Sequence, residues 1–156
     1  MKILFVCTGN TCRSPMAEAI ARKIAIERGL VDVEVGSAGT SAWDGAAASD
    51  GGLLVGLERH MDLSGHRARQ LSRELVTDSD LILAMGPHHL ERAEALGGRG
   101  KSFMLTSYPE PGATGVGVSD PVGGDLTVYR ATADELEGEI RRVFDRLAAE
   151  RIPGTP

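Results

Sequence analysis

The sequence predicts an α/β fold, a small doubly wound domain in which helices flank a four-stranded parallel sheet. Two observations favour it: short apolar runs of the kind found in buried strands, and helical patterns that lie between those runs. The chain of 156 residues has no internal repeat and no linker-like segment. We therefore expect one domain over residues 1–152, followed by a frayed tail at 153–156.

Four segments have the patterns of strands. The first is continuously apolar, as expected for a strand covered on both faces, and the second alternates apolar and polar residues before a glycine-rich end. The predicted strands are residues 2–6, the alternating Val31, Val33 and Val35 with residues 36–39, residues 81–85 and residues 103–105.

Helices are predicted between these strands. Ser14 is the expected N-cap of a helix that has Pro15 at its first position and stops near Arg28, before Gly29. Residues 45–60 form a weaker, glycine-interrupted helix, and residues 87–96 form a short one. The inward side chains of the weaker helix are expected to be Leu53, Leu54 and Leu57.

The last helix has the clearest pattern. Thr132 and Glu135 have the spacing of a capping box. The apolar face is expected to consist of Leu136, Ile140, Val143, Phe144 and Leu147. Residues 107–119 are rich in glycine and proline, which predicts an irregular loop.

The composition excludes several classes of partner. The net charge is −5, with acidic and basic residues mixed along the chain, so nucleic-acid binding through phosphate contacts is disfavoured. No apolar run approaches membrane-spanning length, and the first residues have a strand pattern rather than that of a signal peptide. Cys7 and Cys12 lie in one short segment and cannot link distant parts of the fold. This use of cysteine is typical of a reactive site in a cytoplasmic protein.

The segment Cys7-Thr8-Gly9-Asn10-Thr11-Cys12-Arg13-Ser14 directly follows the first predicted strand and opens the first predicted helix. Gly9 is expected to permit the tight turn. A strand-turn-helix junction of this kind presents backbone N–H groups at a helix N-terminus, which binds an anion and favours a thiolate. The residues by themselves leave an alternative: a buried cysteine at a strand end with a surface arginine nearby.

Val6 to Pro15 resembles the phosphate-binding loop of the low-molecular-weight protein tyrosine phosphatases. The resemblance continues in the family's order through nearly the whole chain. The further matching segments are Gly36-Ser37-Ala38-Gly39, His66-Arg67-Ala68-Arg69-Gln70, Asp80-Leu81-Ile82-Leu83-Ala84-Met85 and Asp120-Pro121. It implies a phosphatase that needs no cofactor, acts on phosphorylated proteins and releases inorganic phosphate.

The resemblance assigns roles to individual residues. Cys7 is the nucleophile that forms a thiophosphate, Arg13 holds two phosphate oxygens, and Asp120 is the general acid. Ser14 faces the thiolate, although a plain N-cap role is equally compatible with its position. Ser37 and His66 belong with Asn10 to a network that supports the loop; His66 taken alone would be a structural histidine. The phosphate-binding residues are Thr8, Gly9, Asn10, Thr11, Cys12, Arg13 and Ser14.

Thr11 points to a branch within the family. Tyrosine phosphatases of the family usually carry a bulkier aliphatic residue there, and often have aromatic residues after Asp-Pro. Here Thr11 and the Val122-Gly123-Gly124 segment resemble the bacterial protein-arginine phosphatases, with tyrosine phosphatase as the alternative. That branch has an aromatic residue where Val122 stands. Trp43 could replace this pocket wall or could be an ordinary packing residue.

Three further expectations concern redox chemistry, other functions and metals. In the family, Cys12 pairs reversibly with Cys7 and protects it from overoxidation; alternatively, Cys12 only fills space.

Arsenate reductase would need further cysteines, and a silent phosphate-binding module need not keep both Cys7 and Asp120. His88 and His89 are adjacent and diverge on a helix, so we predict no metal site.

Overall fold

Strand β1 (Lys2–Cys7) lies inside a four-stranded parallel sheet in the computed structural model, which describes residues 1–109 and 117–150. The strands run in the order β2 (Glu34–Gly39), β1, β3 (Leu81–Ala84) and β4 (Ser102–Met104). The chain order reverses at β1, and ligands bind at such a point, beyond the carboxyl ends of the strands. The predicted fold class is confirmed.

Alternate residues of β1 face two separate cores. Ile3 and Phe5 pack among the apolar residues of α1 and α5, whereas Leu4 and Val6 pack on the side of α3. Both faces of the strand are therefore covered, which explains its continuous apolar sequence. The helices are α1 (Arg13–Glu27), α2 (Asp50–Glu58), α3 (Arg73–Asp78), α4 (Pro87–Ala93) and α5 (Leu126–Glu150).

Two predicted helix starts are wrong. Helix α1 begins at Arg13 with Cys12 as its N-cap, because the hydroxyl of Ser14 is engaged by two groups of the preceding loop. Helix α5 begins at Leu126, so Thr132 lies inside it and donates to the carbonyl of Val128. The five predicted apolar residues of α5 are buried as expected.

Helix α2 corrects the prediction for residues 45–60. It is shorter than expected, and Leu54 and Leu57 are 53% and 63% exposed. Glycines make its packing face instead: a Cβ on Gly56 would lie 2.6 Å from Leu63, and one on Gly51 would lie 2.5 Å from Tyr129. Since small residues allow this close approach, the bulky leucines turn to solvent.

Other boundaries differ less. Val31 is 98% exposed and precedes β2. Helix α4 ends at Ala93, before one wider helical turn (Glu94–Gly98). Helix α3 was not predicted. The predicted loop 107–119 falls partly, and the tail 153–156 entirely, outside the described residues. Within residues 1–109 and 117–150, no helix is both long and apolar enough to cross a bilayer.

Candidate active site

The loop between β1 and α1 turns its carbonyl groups outward. Each of five carbonyls accepts a hydrogen bond from outside the loop, which leaves the loop's amides facing the other way. Within the described part of the chain, no backbone N–H from Thr8 to Ser14 donates to another protein group. The bonds are Thr40 N to Cys7 O, Ser41 N to Thr8 O, His66 Nε2 to Asn10 O, Ser49 N to Thr11 O and Met16 N to Cys12 O. Unpaired amides around a helix N-terminus form an anion-binding cradle.

The sharp bend of this loop lies at Asn10. Its φ is +56°, in the left-handed region that asparagine tolerates, whereas Gly9 has no positive φ. The expectation that Gly9 provides the turn is therefore wrong. Asn10 is fully buried and its amide group is used at both ends: Nδ2 donates to Ser14 Oγ at 2.8 Å, and Oδ1 accepts from Arg69 N at 2.9 Å.

Cys7 ends strand β1, and its thiol is buried at the base of the cradle. Its Sγ lies 2.9 Å from Ser14 Oγ. Because the amide of Asn10 donates to that oxygen, the Ser14 hydrogen is free to point at the sulfur. A hydroxyl donor aimed at sulfur stabilises a thiolate.

A supporting layer lies behind the loop. His66 Nε2 donates to Asn10 O at 2.7 Å, which agrees with its expected position. Ser37 acts less directly: its hydroxyl donates to Glu18, and its carbonyl accepts from Arg69 Nε at 2.9 Å. Arg69 therefore joins Ser37 to Asn10, although nothing in its sequence position apart from the matching segment pointed to this role.

The end of β2 lies against the loop at Gly39. A Cβ there would lie 2.4 Å from Thr8 O and 2.9 Å from Asn10 N, so the close approach requires glycine. The next two residues, Thr40 and Ser41, donate their backbone N–H groups to the loop at 2.9 Å. The segment after β2 is thereby fixed beside the nucleophile.

Arg13 and Asp120 meet at the mouth of the cradle. Arg13 is buried and its Nη1 donates to Val118 O at 2.9 Å, while its Nη2 lies 3.6 Å from Asp120 Oδ2. Val118 N in turn donates to Met85 O, which anchors the segment leading to Asp120 at the end of β3. Asp120 is partly exposed, and its Oδ1 accepts from Val122 N. A carboxyl group and a guanidinium group are thus brought together from distant segments of the chain.

The three residues predicted to contact the substrate differ in exposure. Thr11 is half-buried in the loop, whereas Trp43 is 82% exposed and Val122 is 65% exposed. Trp43 lies on the segment that Thr40 and Ser41 anchor to the loop, and its exposure shows that it is not a packing residue here. Both apolar side chains are available to contact a substrate.

Cys12 and Cys7 are both free, buried thiols. The Sγ of Cys12 lies 3.4 Å from the hydroxyl of Tyr129 on α5. Burial and the contact with Cys12 raise the pKa of Tyr129, so its hydroxyl stays protonated. In this state Cys12 is held by Tyr129 and is not bonded to Cys7.

One further residue near the loop was discounted at the sequence level. His89 is fully buried on α4, and its Nε2 lies 2.8 Å from Thr8 Oγ1, whereas His88 is exposed. Among the described residues, no group of three or more His, Cys, Asp or Glu side chains could hold a metal ion. The absence of a metal requirement remains a prediction.

The geometry defines a chemical class. A buried thiol faces an anion cradle, with a guanidinium at its rim and a carboxyl beside it. This combination suits a two-step phosphoryl transfer in which cysteine is the nucleophile and the carboxyl moves protons.

Comparison with known proteins identifies the family. Residues 2–152 match the low molecular weight phosphotyrosine protein phosphatase family, and the chain belongs to it. The predicted enzyme class, a hydrolase acting on phosphorylated protein, is confirmed.

Relatives in this family carry two different names. The chain is 41% identical over 153 residues to a protein-arginine-phosphatase of Bacillus subtilis, covering 97% of this chain and 99% of the relative. It is 40% identical over 137 residues to a low molecular weight protein-tyrosine-phosphatase, PtpB, of Staphylococcus haemolyticus, covering 87% and 92%. Among solved structures, a YwlE arginine phosphatase mutant with a phosphorylated active-site serine in place of cysteine superposes with a TM-score of 0.89. It is 40% identical and covers 97% of this chain and 98% of that one.

Proposed function

We propose that this protein is a protein-arginine phosphatase that works through a thiophosphate on Cys7. The single observation that carries the chemistry is the buried Cys7 thiol, which faces Ser14 within a loop whose amides donate to no other group of residues 1–109 and 117–150. The relatives named as arginine phosphatases, from Bacillus subtilis and Geobacillus stearothermophilus at 41% and 39% identity, support the substrate.

The first step transfers the phosphoryl group to sulfur. The Cys7 thiolate attacks phosphorus while the loop amides and Arg13 bind the phosphoryl oxygens. The S–P bond forms, the P–N bond to the substrate guanidino group breaks, and Asp120 gives its proton to the leaving nitrogen. Arg13 suits this task because its planar fork matches two oxygens at once.

The second step returns the enzyme to its starting state. Asp120, now a carboxylate, takes a proton from a water molecule that attacks phosphorus. The S–P bond breaks, and inorganic phosphate leaves the cradle. Ser14 stabilises the departing thiolate because its hydroxyl, 2.9 Å from Cys7 Sγ, can donate its hydrogen to the sulfur.

Thr11 supports phosphoarginine over phosphotyrosine. It is half-buried in the loop and carries a hydroxyl to which a planar, charged guanidino group could hydrogen-bond. Val122 is small, and Trp43 is the exposed aromatic residue on the neighbouring segment. We propose these three residues as the substrate pocket.

Phosphotyrosine is the second candidate substrate. The tyrosine phosphatase of Staphylococcus haemolyticus is as similar, at 40% identity, as the arginine phosphatases, so overall identity does not separate the two. The deciding experiment measures kcat/KM on phosphoarginine and phosphotyrosine peptides of the same sequence, with reduced protein and a chelator. A preference for phosphoarginine supports the proposal, and a preference for phosphotyrosine contradicts it while keeping the mechanism.

Arsenate reduction is disfavoured because Cys7 and Cys12 are the chain's two cysteines, and a silent phosphate-binding module is disfavoured because Cys7 and Asp120 both lie at the loop. We propose one phosphatase domain over residues 1–152, without a metal or cofactor and without nucleic-acid or membrane partners. Free cysteines support a cytoplasmic location and reversible redox control by Cys12.

A further inference from the structure

His89 has no assigned part in the two steps of phosphoryl transfer, although its ring contacts the phosphate loop. Its ring is fully buried, and Nε2 lies 2.8 Å from the hydroxyl oxygen of Thr8, the residue after the nucleophile. Nδ1 is also buried and has no hydrogen-bond partner among the described residues. The ring nitrogen that carries the hydrogen decides whether the Thr8 hydroxyl accepts a hydrogen bond from His89 or donates one to it.

The surroundings indicate a neutral ring with its hydrogen on Nε2. Burial, His88 and the positive charge of Arg13 lower the pKa of His89 to about 4, with Asp120 acting in the opposite direction. A hydrogen on Nδ1 would be a buried N–H donor without an acceptor, which is rarer in proteins than an unpaired acceptor. With the hydrogen on Nε2, the ring donates to Thr8 Oγ1 and leaves only a lone pair unpaired.

That donation fixes the direction of the Thr8 hydroxyl. An oxygen that accepts a hydrogen bond on its buried side must direct its own hydrogen elsewhere. Thr8 is an exposed residue of the loop, so the direction left for its hydroxyl hydrogen leads away from the protein interior. We propose that His89 is a positioning residue of the phosphatase reaction: it holds Thr8 so that the hydroxyl donates to the phosphoryl group in the loop. This inference rests on the proposed function.

The start of α4 is well placed for this role. Gly86 lies just before the helix, and a Cβ there would be 3.3 Å from His89 Nδ1. Gly117 packs against the same turn, where its Cβ would lie 2.9 Å from Met85 O. Next to Gly117, Val118 holds Arg13. The turn that carries His89 therefore contacts both the loop and the segment that leads to Asp120.

A direct test uses the full-length protein without any substitution. Long-range ¹H–¹⁵N correlation spectra of protein labelled with ¹⁵N-histidine, recorded at neutral pH, distinguish the two neutral forms and the charged ring. We expect His89 to be neutral with its hydrogen on Nε2. A hydrogen on Nδ1, or a charged ring, would overturn the proposal. This result does not depend on which phosphorylated residue is the substrate, so it is separable from a failure of the proposed function.

A second test asks whether His89 acts through Thr8. The variants are His89→Gln, which keeps an N–H donor, His89→Leu, which removes it, Thr8→Val, and the double variant Thr8→Val with His89→Leu. The measured quantities are kcat/KM and the inhibition constant of inorganic phosphate. We expect His89→Leu and Thr8→Val each to weaken phosphate inhibition about tenfold, the size of a lost hydrogen bond to a charged group. His89→Gln should lose less, and His88→Gln is the matched control.

The double variant separates positioning from packing. If His89 acts through Thr8, the double variant loses no more than either single one; losses that multiply would show independent roles and contradict the proposal. Thermal unfolding identifies variants that fold. If His89→Leu does not fold, Thr8→Val is compared with Thr8→Ser, and equal phosphate inhibition constants in those two variants would overturn the role of the hydroxyl.

Discussion

The Oγ of Ser14 lies 2.9 Å from the Sγ of Cys7 and receives the amide hydrogen of Asn10 at 2.8 Å. The serine hydrogen is thereby free to point at the sulfur. Asn10 is itself fixed by Arg69 and His66, so the orientation of this one hydroxyl depends on groups from a distant segment. The same hydrogen bond can favour the thiolate before attack and again when sulfur leaves phosphorus.

Replacing Ser14 by alanine should slow the second step most. Without its donor the thiolate is a poorer leaving group, and kcat should fall about 10- to 100-fold. Rapid-quench measurements should then show a burst of dephosphorylated substrate followed by slow turnover, with phosphorylated enzyme accumulating. Ser64→Ala, at an exposed serine, is the control. An unchanged kcat with no burst would contradict this role of Ser14.

If Asp120 is the general acid, the Asp120→Asn variant should be unable to protonate the leaving group. The loss should be about 10²- to 10⁴-fold on phosphoarginine peptides and much smaller on para-nitrophenyl phosphate, whose leaving group needs little protonation. Steady-state kinetics on both substrates checks this. Asp125→Asn is the matched control, because Asp125 caps α5 and asparagine retains that function. Equal losses on the two substrates would remove Asp120 from the acid role.

Exchanging Thr11 for isoleucine should change the substrate preference. The larger apolar side chain removes a hydroxyl and narrows the space beside the guanidino group, so the ratio of kcat/KM for phosphoarginine over phosphotyrosine should fall about tenfold or more. Competition between the two peptides in one reaction measures the ratio directly. Thr77→Ile on α3 is the control, and an unchanged ratio in Thr11→Ile would leave Thr11 without a role in specificity.

Mild oxidation should join Cys7 and Cys12. After treatment with peroxide, wild-type protein should lose both free thiols and regain activity with a dithiol, whereas Cys12→Ser should be overoxidised at Cys7 and stay inactive. Tyr129→Phe removes the partner that holds the Cys12 thiol and should speed the pairing. Mass spectrometry of alkylated protein follows each species. Full recovery of oxidised Cys12→Ser by a dithiol would refute the protective role.

Stability should fall as the pH decreases from 6.5 towards 4. Native His89 remains neutral down to about pH 4, whereas in the unfolded chain it binds a proton below its ordinary value of 6.5. The unfolded state therefore binds more protons in this window, and acidification favours unfolding by at most about 1.4 kcal/mol per pH unit from this group. Urea unfolding of wild type and His89→Gln across the window tests this. An equal loss of stability in both proteins would contradict it.

The sequence alone determined the features that depend on neighbouring residues. The apolar run of β1 and the spacing of α5 predicted buried elements, and Cys7 to Ser14 predicted an anion cradle because a strand, a turn and a helix start follow one another directly. Local hydrogen bonding and side-chain periodicity decide these features, so the order of neighbouring residues is enough to predict them.

Only the tertiary structure decided what closes around the loop. Gly39, Arg69, His89 and Val118 come from segments far apart in the chain, and the parallel order β2-β1-β3-β4 brings them to one edge of the sheet. The two predicted caps were wrong for a local reason instead, because Ser14 contacts Cys7 and Asn10 and Thr132 donates to Val128 within its own helix. Hydrogen bonds form or fail over a few tenths of an ångström, and such distances are set by the packing of the whole sheet rather than by any local pattern.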